Sequence, residues 1–168
     1  APPGRVDAVQ RRQGEGARRD GGRVGSTAEG KIGYELIHQI VDGGFEAVYA
    51  LNPKAQGAFG VPGFSAADQI RQPLDLVIVA SPGPTVPAVL EDCGRIGIQA
   101  AVVISSGFSE VGNKAGEEEG RRISRQYGMR VVGPNCAGIV NTHHKLFGTI
   151  ETRPPKGEVA FISQSGAL

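Results

Sequence analysis

A chain of 168 residues with 39% hydrophobic and 21% charged positions is long enough for one domain with a real core, or for a domain and the opening of another. A formal net charge of +1 with only six phenylalanines and three tyrosines gives no electrostatic or stacking case for nucleic acid, and no apolar run approaches the roughly 18 residues that crossing a bilayer requires. Cys93 and Cys136 make neither a CxxC pair nor a zinc spacing, and two thiols without a signal peptide point to a reducing compartment, the cytoplasm by default.

Residues 1–23 carry six arginines and little apolar material, with neither a strand nor a helix period. A disordered basic tail and a stretch of non-native coding sequence are both open readings. From residue 24 the chain alternates. "KIGYELIHQIVDGG" places Ile32, Leu36, Ile37, Ile40 and Val41 on one helical face and stops at Gly43 and Gly44. "FEAVYALNP" predicts a strand, "SAADQIRQ" a short helix ended by Pro73, and "LDLVIVASP" a strand covered on both faces. "TVPAVLEDCGRIG" predicts a helix with Val86, Val89, Leu90 and Cys93 inward. "IQAAVVISSG" is the next strand, "KAGEEEGRRISRQYG" an exposed helix closed by Gly128, and "MRVVGPN" another strand. After an irregular stretch, "GEVAFISQSGAL" opens as a strand and breaks off in a Ser-Gly turn.

Strict alternation with apolar strands predicts an α/β fold, a Rossmann-like doubly wound parallel sheet. Such a sheet should open with a central strand ahead of the Gly-rich loop at residue 25, yet "DGGRV" is poor strand material. Unless residues 17–26 pair in spite of their composition, the sheet has a gap at its centre and the domain folds poorly.

In this fold ligands bind beyond the carboxyl ends of the strands, and the informative loops fall there. "VGSTAEGKIG" brings Gly25, Ser26, Thr27 and Lys31 to a strand–helix turn whose amides suit phosphate. An ordinary Gly-rich turn is an equal reading, since the loop is not G-x-G-x-x-G. After the next strand an NAD site would carry an acidic residue; "LNPK" offers Asn52 and Lys54 instead, which suits a ribose phosphate, as in coenzyme A or NADP. The remaining ends, "ASPGPT", "ISSGFSE" and "GPNCAG", are lined by small hydroxyl and glycine residues and leave room for a long, thin ligand. Ser81, Ser105 and Ser106 taken singly read as turn caps; three such ends in a row point to a ligand.

"GKIGYE", "LNPK", "AAVVISSGFSEVG", "YGMRVVGPNCAGIVNT" and "GEVAFISQSGAL" together resemble the NDP-forming acyl-CoA synthetases, that is, the ADP-forming acetate–CoA ligases and the alpha subunit of succinyl-CoA synthetase. A similar module is fused to some bacterial protein lysine acetyltransferases. The resemblance implies a CoA-binding domain over residues 24–150, followed over 151–168 by a linker and the first strand of a flavodoxin-like ligase domain. It implies CoA contacts at Gly25, Ser26, Thr27, Lys31, Lys54, Ser81, Ile104, Ser105 and Ser106, with Asn135 and Cys136 near the thiol end. Ser163, Ser165 and Gly166 would bind a phosphoryl group at the amino end of the next domain's first helix. A covalent role for Cys136 is not implied.

The family passes phosphate through a histidine lying beyond these residues. His143 and His144 sit in the loop "NTHHKLFG", and His38 beside the apolar face of its helix, so none is assigned that role and no catalytic residue falls in the chain. It reads as a fragment that binds CoA, while ATP or ADP and magnesium would serve the parent enzyme through a nucleotide-grasp (beta) subunit or domain. No metal site, membrane or nucleic-acid partner is expected. The alternatives are a regulatory CoA-binding module of a lysine acetyltransferase and an NADP-binding dehydrogenase domain.

Overall fold

The computed structural model describes residues 21–25 and 29–164; of the residues expected at the site, Ser26, Thr27, Ser165 and Gly166 lie outside them. In chain order the elements are β1 (Gly21–Gly25), α1 (Ile32–Asp42), β2 (Val48–Leu51), β3 (Gly63–Phe64), β4 (Leu76–Ala80), α2 (Val86–Arg95), β5 (Ala100–Val103), α3 (Lys114–Gln126), β6 (Arg130–Val132), β7 (Gly138–Asn141) and β8 (Leu146–Thr149). Six strands form one sheet in the order β3-β2-β1-β4-β5-β6, parallel throughout. The chain reverses its direction of winding between β1 and β4, as in a doubly wound nucleotide-binding fold.

The expected gap at the centre is filled. Gly21–Gly25 pairs in parallel with β2 on one side, Gly21 opposite Val48, and with β4 on the other, Gly21 opposite Leu76. Residues 21–23, read from composition as tail, are therefore part of the central strand. The reason is that a strand between two partners is held by main-chain hydrogen bonds on both edges, and strand preference measures packing context more than backbone preference. Val24 is the one β-branched residue of β1, and the neighbouring strands supply the rest.

Residues along β4 alternate between two cores. Leu76 and Ile78 pack with Leu36, Ile37 and Ile40 of α1, whereas Val77 and Val79 pack with Val86, Leu90 and Cys93 of α2 and with Ile123 of α3. Both faces of the strand are buried, which is why it reads as one continuous apolar run. On the α1 side the antiparallel hairpin β7–β8 packs on the sheet, with Gly148 against Ile78, and occupies the stretch expected to be irregular. Leu146 of β8 joins the α1 core. Phe147 lies so close to Gly43 that a Cβ there would enter its ring.

Two other expectations change. The short helix at 65–72 is a single 3-10 turn, Ala67–Gln69, too brief to repay helix nucleation. Residues 157–164 form no strand and are exposed, with Val159 at 93% and Ile162 at 92% of full accessibility. A strand needs a neighbour for its ladder, and none of the described strands lies beside this segment.

Candidate functional site

The carboxyl ends of the strands meet along one edge. At β1 the chain leaves through Gly25, and α1 begins at Lys31, an exposed residue in extended conformation at the helix amino terminus. The first amides of that helix have no partner within it, which gives the loop its capacity for an anion. Gly30 holds a φ of +75° and a Cβ there would meet open space.

At the end of β2 Asn52 is buried, and its amide is committed to the loop. Its Oδ1 accepts from the backbone N–H groups of Lys54 and Gln56, each at 3.2 Å, while its Nδ2 donates to the Gln56 carbonyl at 2.8 Å. Asn52 thus shapes the turn, and the exposed Lys54 carries the charge.

The ends of β4, β5 and β6 are tied to one another. The buried Ser105 hydroxyl donates to the Ser81 carbonyl at 2.5 Å, and the Ser105 carbonyl accepts the Asn135 N–H at 2.9 Å. The hydroxyls of Thr85 and Ser81 are 2.9 Å apart. Backbone meets backbone here. A Cβ on Gly83 would lie 2.5 Å from the Ser106 carbonyl, and one on Gly133 would enter the Val103 carbonyl. Gly133 also holds a φ of +98°, which an L side chain resists. The result is a low, uncharged ledge of main chain and small side chains. Ile104 is buried beneath it, whereas Ser106 and Asn135 are exposed on it.

Cys136 is partly buried against the α1-side core, and its thiol donates to the Val103 carbonyl at 3.3 Å. Burial pushes its pKa up, against smaller lowering effects from the Gly138 and Cys136 backbone. Cys93, inside the other core, is pushed up to about 12 by burial, with Asp92 adding to the effect. Both are held as neutral thiols, the inert state.

Glu110 is a residue whose part the sequence reading missed. Its carboxylate accepts from the Gly107 N–H at 2.5 Å and from the Phe108 N–H at 3.2 Å, and the Gly107 bond leads the causes that lower its pKa. The signal was only a carboxylate in a short turn: Glu110 lies in the 3-10 turn Ser109–Val111, capped by Phe108, and reaches back to the amides at its amino end, where an anion is favoured. Asn113 adds a bond from Nδ2 to the Gly107 carbonyl at 3.0 Å, so the loop after β5 is clamped from both sides.

Of the expected residues, Ser81, Ile104, Ser105, Ser106, Asn135 and Cys136 come together on or under the ledge. Lys31 and Lys54 stand on the β1–β2 side. Ser163 belongs to the exposed segment after the hairpin. His38 is exposed on α1 with its ring 5.0 Å from Phe59, and His143 lies in the hairpin turn with Nε2 3.3 Å from the Gly157 carbonyl. Among the described residues no group of three or more His, Cys, Asp or Glu is arranged to hold a metal, and no helix is long and apolar enough to cross a membrane.

Residues 24–142 match the family described as CoA binding domain. The chain is 42% identical over 144 residues to an ADP-forming acetate–CoA ligase of Methanocaldococcus jannaschii, covering 85% of this chain and 20% of that protein. A crystal structure from Pyrococcus horikoshii OT3 superposes with a TM-score of 0.82 at 38% identity, over 89% of this chain and 35% of that one. An acetyl-coenzyme A synthetase 1 of Candidatus Korarchaeum cryptofilum, solved in complex with phosphate and ADP, superposes with a TM-score of 0.72 at 35% identity, over 76% of this chain and 28% of that one. The chain therefore spans about a fifth to a third of the length of these relatives. Two of the three carry the names of a ligase and a synthetase, and none gives the dehydrogenase or acetyltransferase alternative support.

Proposed function

Because the chain belongs to the CoA-binding domain family, we propose that its carboxyl edge holds coenzyme A within a larger, cytoplasmic acid–CoA ligase that forms ADP or GDP. The parent reaction is acyl-CoA + NDP + phosphate ⇌ acid + CoA + NTP, with a nucleotide-grasp domain or subunit as partner. The observation that carries this reading is the ledge. Its glycines at 83 and 133 let neighbouring main chain pack directly against them, so the strand ends close into a low shelf of main chain and small side chains across which a thin ligand can lie.

The edge divides the ligand's chemistry in two. Lys31, Lys54 and the amino end of α1 suit the phosphates of the nucleotide part, as cations and oriented N–H groups do. The ledge suits the pantetheine arm, a chain of amides that fits a narrow run of main-chain donors and acceptors. The turn at 133–136 receives the thiol end. Cys136 excludes water there through its packing and stays a thiol, because burial raises its pKa. The fragment binds and positions; it does not turn over.

The reading is tested by thermal melts of the 168-residue chain with CoA and, separately, with NADPH. At a hundred times its dissociation constant a ligand adds about 2.7 kcal/mol, a shift of roughly 5 to 10 °C for a domain of this size. CoA should produce that shift and NADPH should not. The reverse result, or no shift with either ligand, would remove the proposal.

A further inference from the structure

The side of α3 turned toward α2 runs Gly116, Gly120, Ile123 and Tyr127, spaced as one helical stripe. At the end far from the ledge the stripe fills the interface. Ile123 is buried, and Tyr127 covers Gly94 of α2 so closely that a Cβ there would enter its ring, while its hydroxyl donates to Glu91 at 2.5 Å. At the ledge end the stripe is bare, and a Cβ on Gly120 would meet only Leu90 Cδ1, at 3.8 Å. This leaves a cavity of about 200 Å³ between the two helices, lined by Val86, Leu90, Val103 and Phe108 and bordered by Gly133 and Pro134. The groove is open to solvent and lies beside the ligand edge of the fold, with room for a small apolar group.

We infer that this groove seats the acyl group of a bound acyl-CoA, as a slot for an aliphatic chain longer than acetyl. The inference rests on the CoA reading above and specifies it further. Continuity fixes the position, because Gly133 and Pro134 form the groove wall and begin the same turn that carries Asn135 and Cys136 at the thiol end. Chemistry fixes the occupant. The floor is apolar, and the phosphates and the amide arm would each lose hydrogen bonds to water on entering it. The apolar groups of the pantetheine arm are interleaved with its amides and hydroxyl, so the acyl tail is the one uninterrupted aliphatic run at the thiol end. Glu117 and Arg121, joined as an ion pair, also line the groove; Arg121 is exposed and Glu117 is mostly covered, so the carboxylate meets its charge partner beside the apolar floor.

The test is calorimetric titration of the 168-residue chain with CoA, acetyl-CoA and butyryl-CoA. A buried methylene is worth about fourfold in affinity, so butyryl-CoA should bind on the order of fifteenfold tighter than acetyl-CoA. Gly120→Leu, which fills the groove, should bring that ratio close to one, and Gly120→Ala should leave it in between. Equal affinities for acetyl- and butyryl-CoA in the wild-type chain would overturn the inference, and that result is available even if a variant fails to fold. So would a folded Gly120→Leu protein that keeps the ratio. Binding of CoA in either of those cases leaves the CoA reading standing, whereas failure to bind any of the three ligands overturns both.

Discussion

On the β1–β2 side of the carboxyl edge, Lys31 and Lys54 are exposed on loops, and the turn beneath Lys54 is held by the Asn52 side-chain amide and by a backbone bond from the Ala55 N–H to the Asn52 carbonyl. On the β4–β6 side there is no lysine or arginine on the ledge; Ser105 bridges two neighbouring strand ends, and glycines allow direct backbone contact. One side offers charge on movable stems, the other a rigid shape. Substitutions should separate them accordingly: changes on the first side act on binding and depend on salt, while changes on the second act on folding and carry binding with them.

The largest expected effect comes from breaking the rigid side. Gly133→Val forces a β-branched side chain into a φ of +98° and into the Val103 carbonyl. Overpacking and left-handed strain together should cost about 3 kcal/mol, read as a lowered midpoint in urea, with CoA affinity falling in parallel. A melt unchanged from wild type would mean that the strand ends are not packed as described. Lys54→Ala should do the opposite. Stability should hold within about 0.5 kcal/mol, as for most surface changes, and CoA affinity should fall about tenfold at low salt, with the gap narrowing at high salt as screening removes the lost attraction. If the gap ignores salt, Lys54 does not meet a phosphate.

Ser105→Ala is intermediate. It leaves the Ser81 carbonyl without its closest donor in a buried place, a loss of about 1 to 2 kcal/mol, and it loosens the ledge where β4 meets β5. A double substitution with Lys54→Ala sharpens the comparison. Sites on separate strand ends with no shared partner should add in stability, so coupling well above about 0.5 kcal/mol would show that the two sides act as one unit.

The same contrast explains what could be read from residues alone. Strands with apolar runs, such as β4 and β5, and helices with one apolar stripe, such as α1 and α2, announce themselves because their side chains make the packing. β1 does not, since its place depends on what β2 and β4 do on either side of it. The hairpin β7–β8 was equally hidden: "NTHHKLFG" has no two-residue Gly turn, both strands are four residues long, and β7 is half-exposed. At the site, the small residues of the ledge were legible as a pattern. Their bonding was not, because Ser105 meets Ser81 across 24 positions of sequence. Glu110 was legible only as a local capping pattern, and the groove between α2 and α3 only as glycines whose absent side chains gain meaning once Leu90 is placed opposite.

Glu110 gives a smaller test, which bears on how the rigid side is kept rigid. Its folded pKa is lowered, first by the Gly107 amide, so its contribution is fully present above the ordinary carboxylate pKa and is lost as pH falls through the folded value. CoA affinity should therefore weaken as the solution is acidified below about pH 4.5. Glu110→Gln should show a flatter profile over that window, with affinity reduced at pH 7, because an amide oxygen accepts two backbone N–H groups less strongly than a carboxylate. Superimposable profiles for wild type and variant would show that the loop after β5 holds its shape without the clamp.

The smallest effect concerns the two thiols, one under the ledge and one far from it. Burial raises both pKa values, so at pH 8 each is almost wholly protonated and alkylation by iodoacetamide should be far slower than for a free cysteine. Cys136 is only partly buried whereas Cys93 is enclosed, so Cys136 should react first. CoA laid along the turn at 133–136 would cover Cys136 and leave Cys93 as it was. Saturating CoA should therefore slow labelling of Cys136 severalfold while the Cys93 rate, set by opening of the core, falls only as far as global stabilisation requires. Equal slowing of the two thiols would show that CoA stabilises the domain without lying over that turn, and the thiol end of the ligand would then have to be placed elsewhere along the edge.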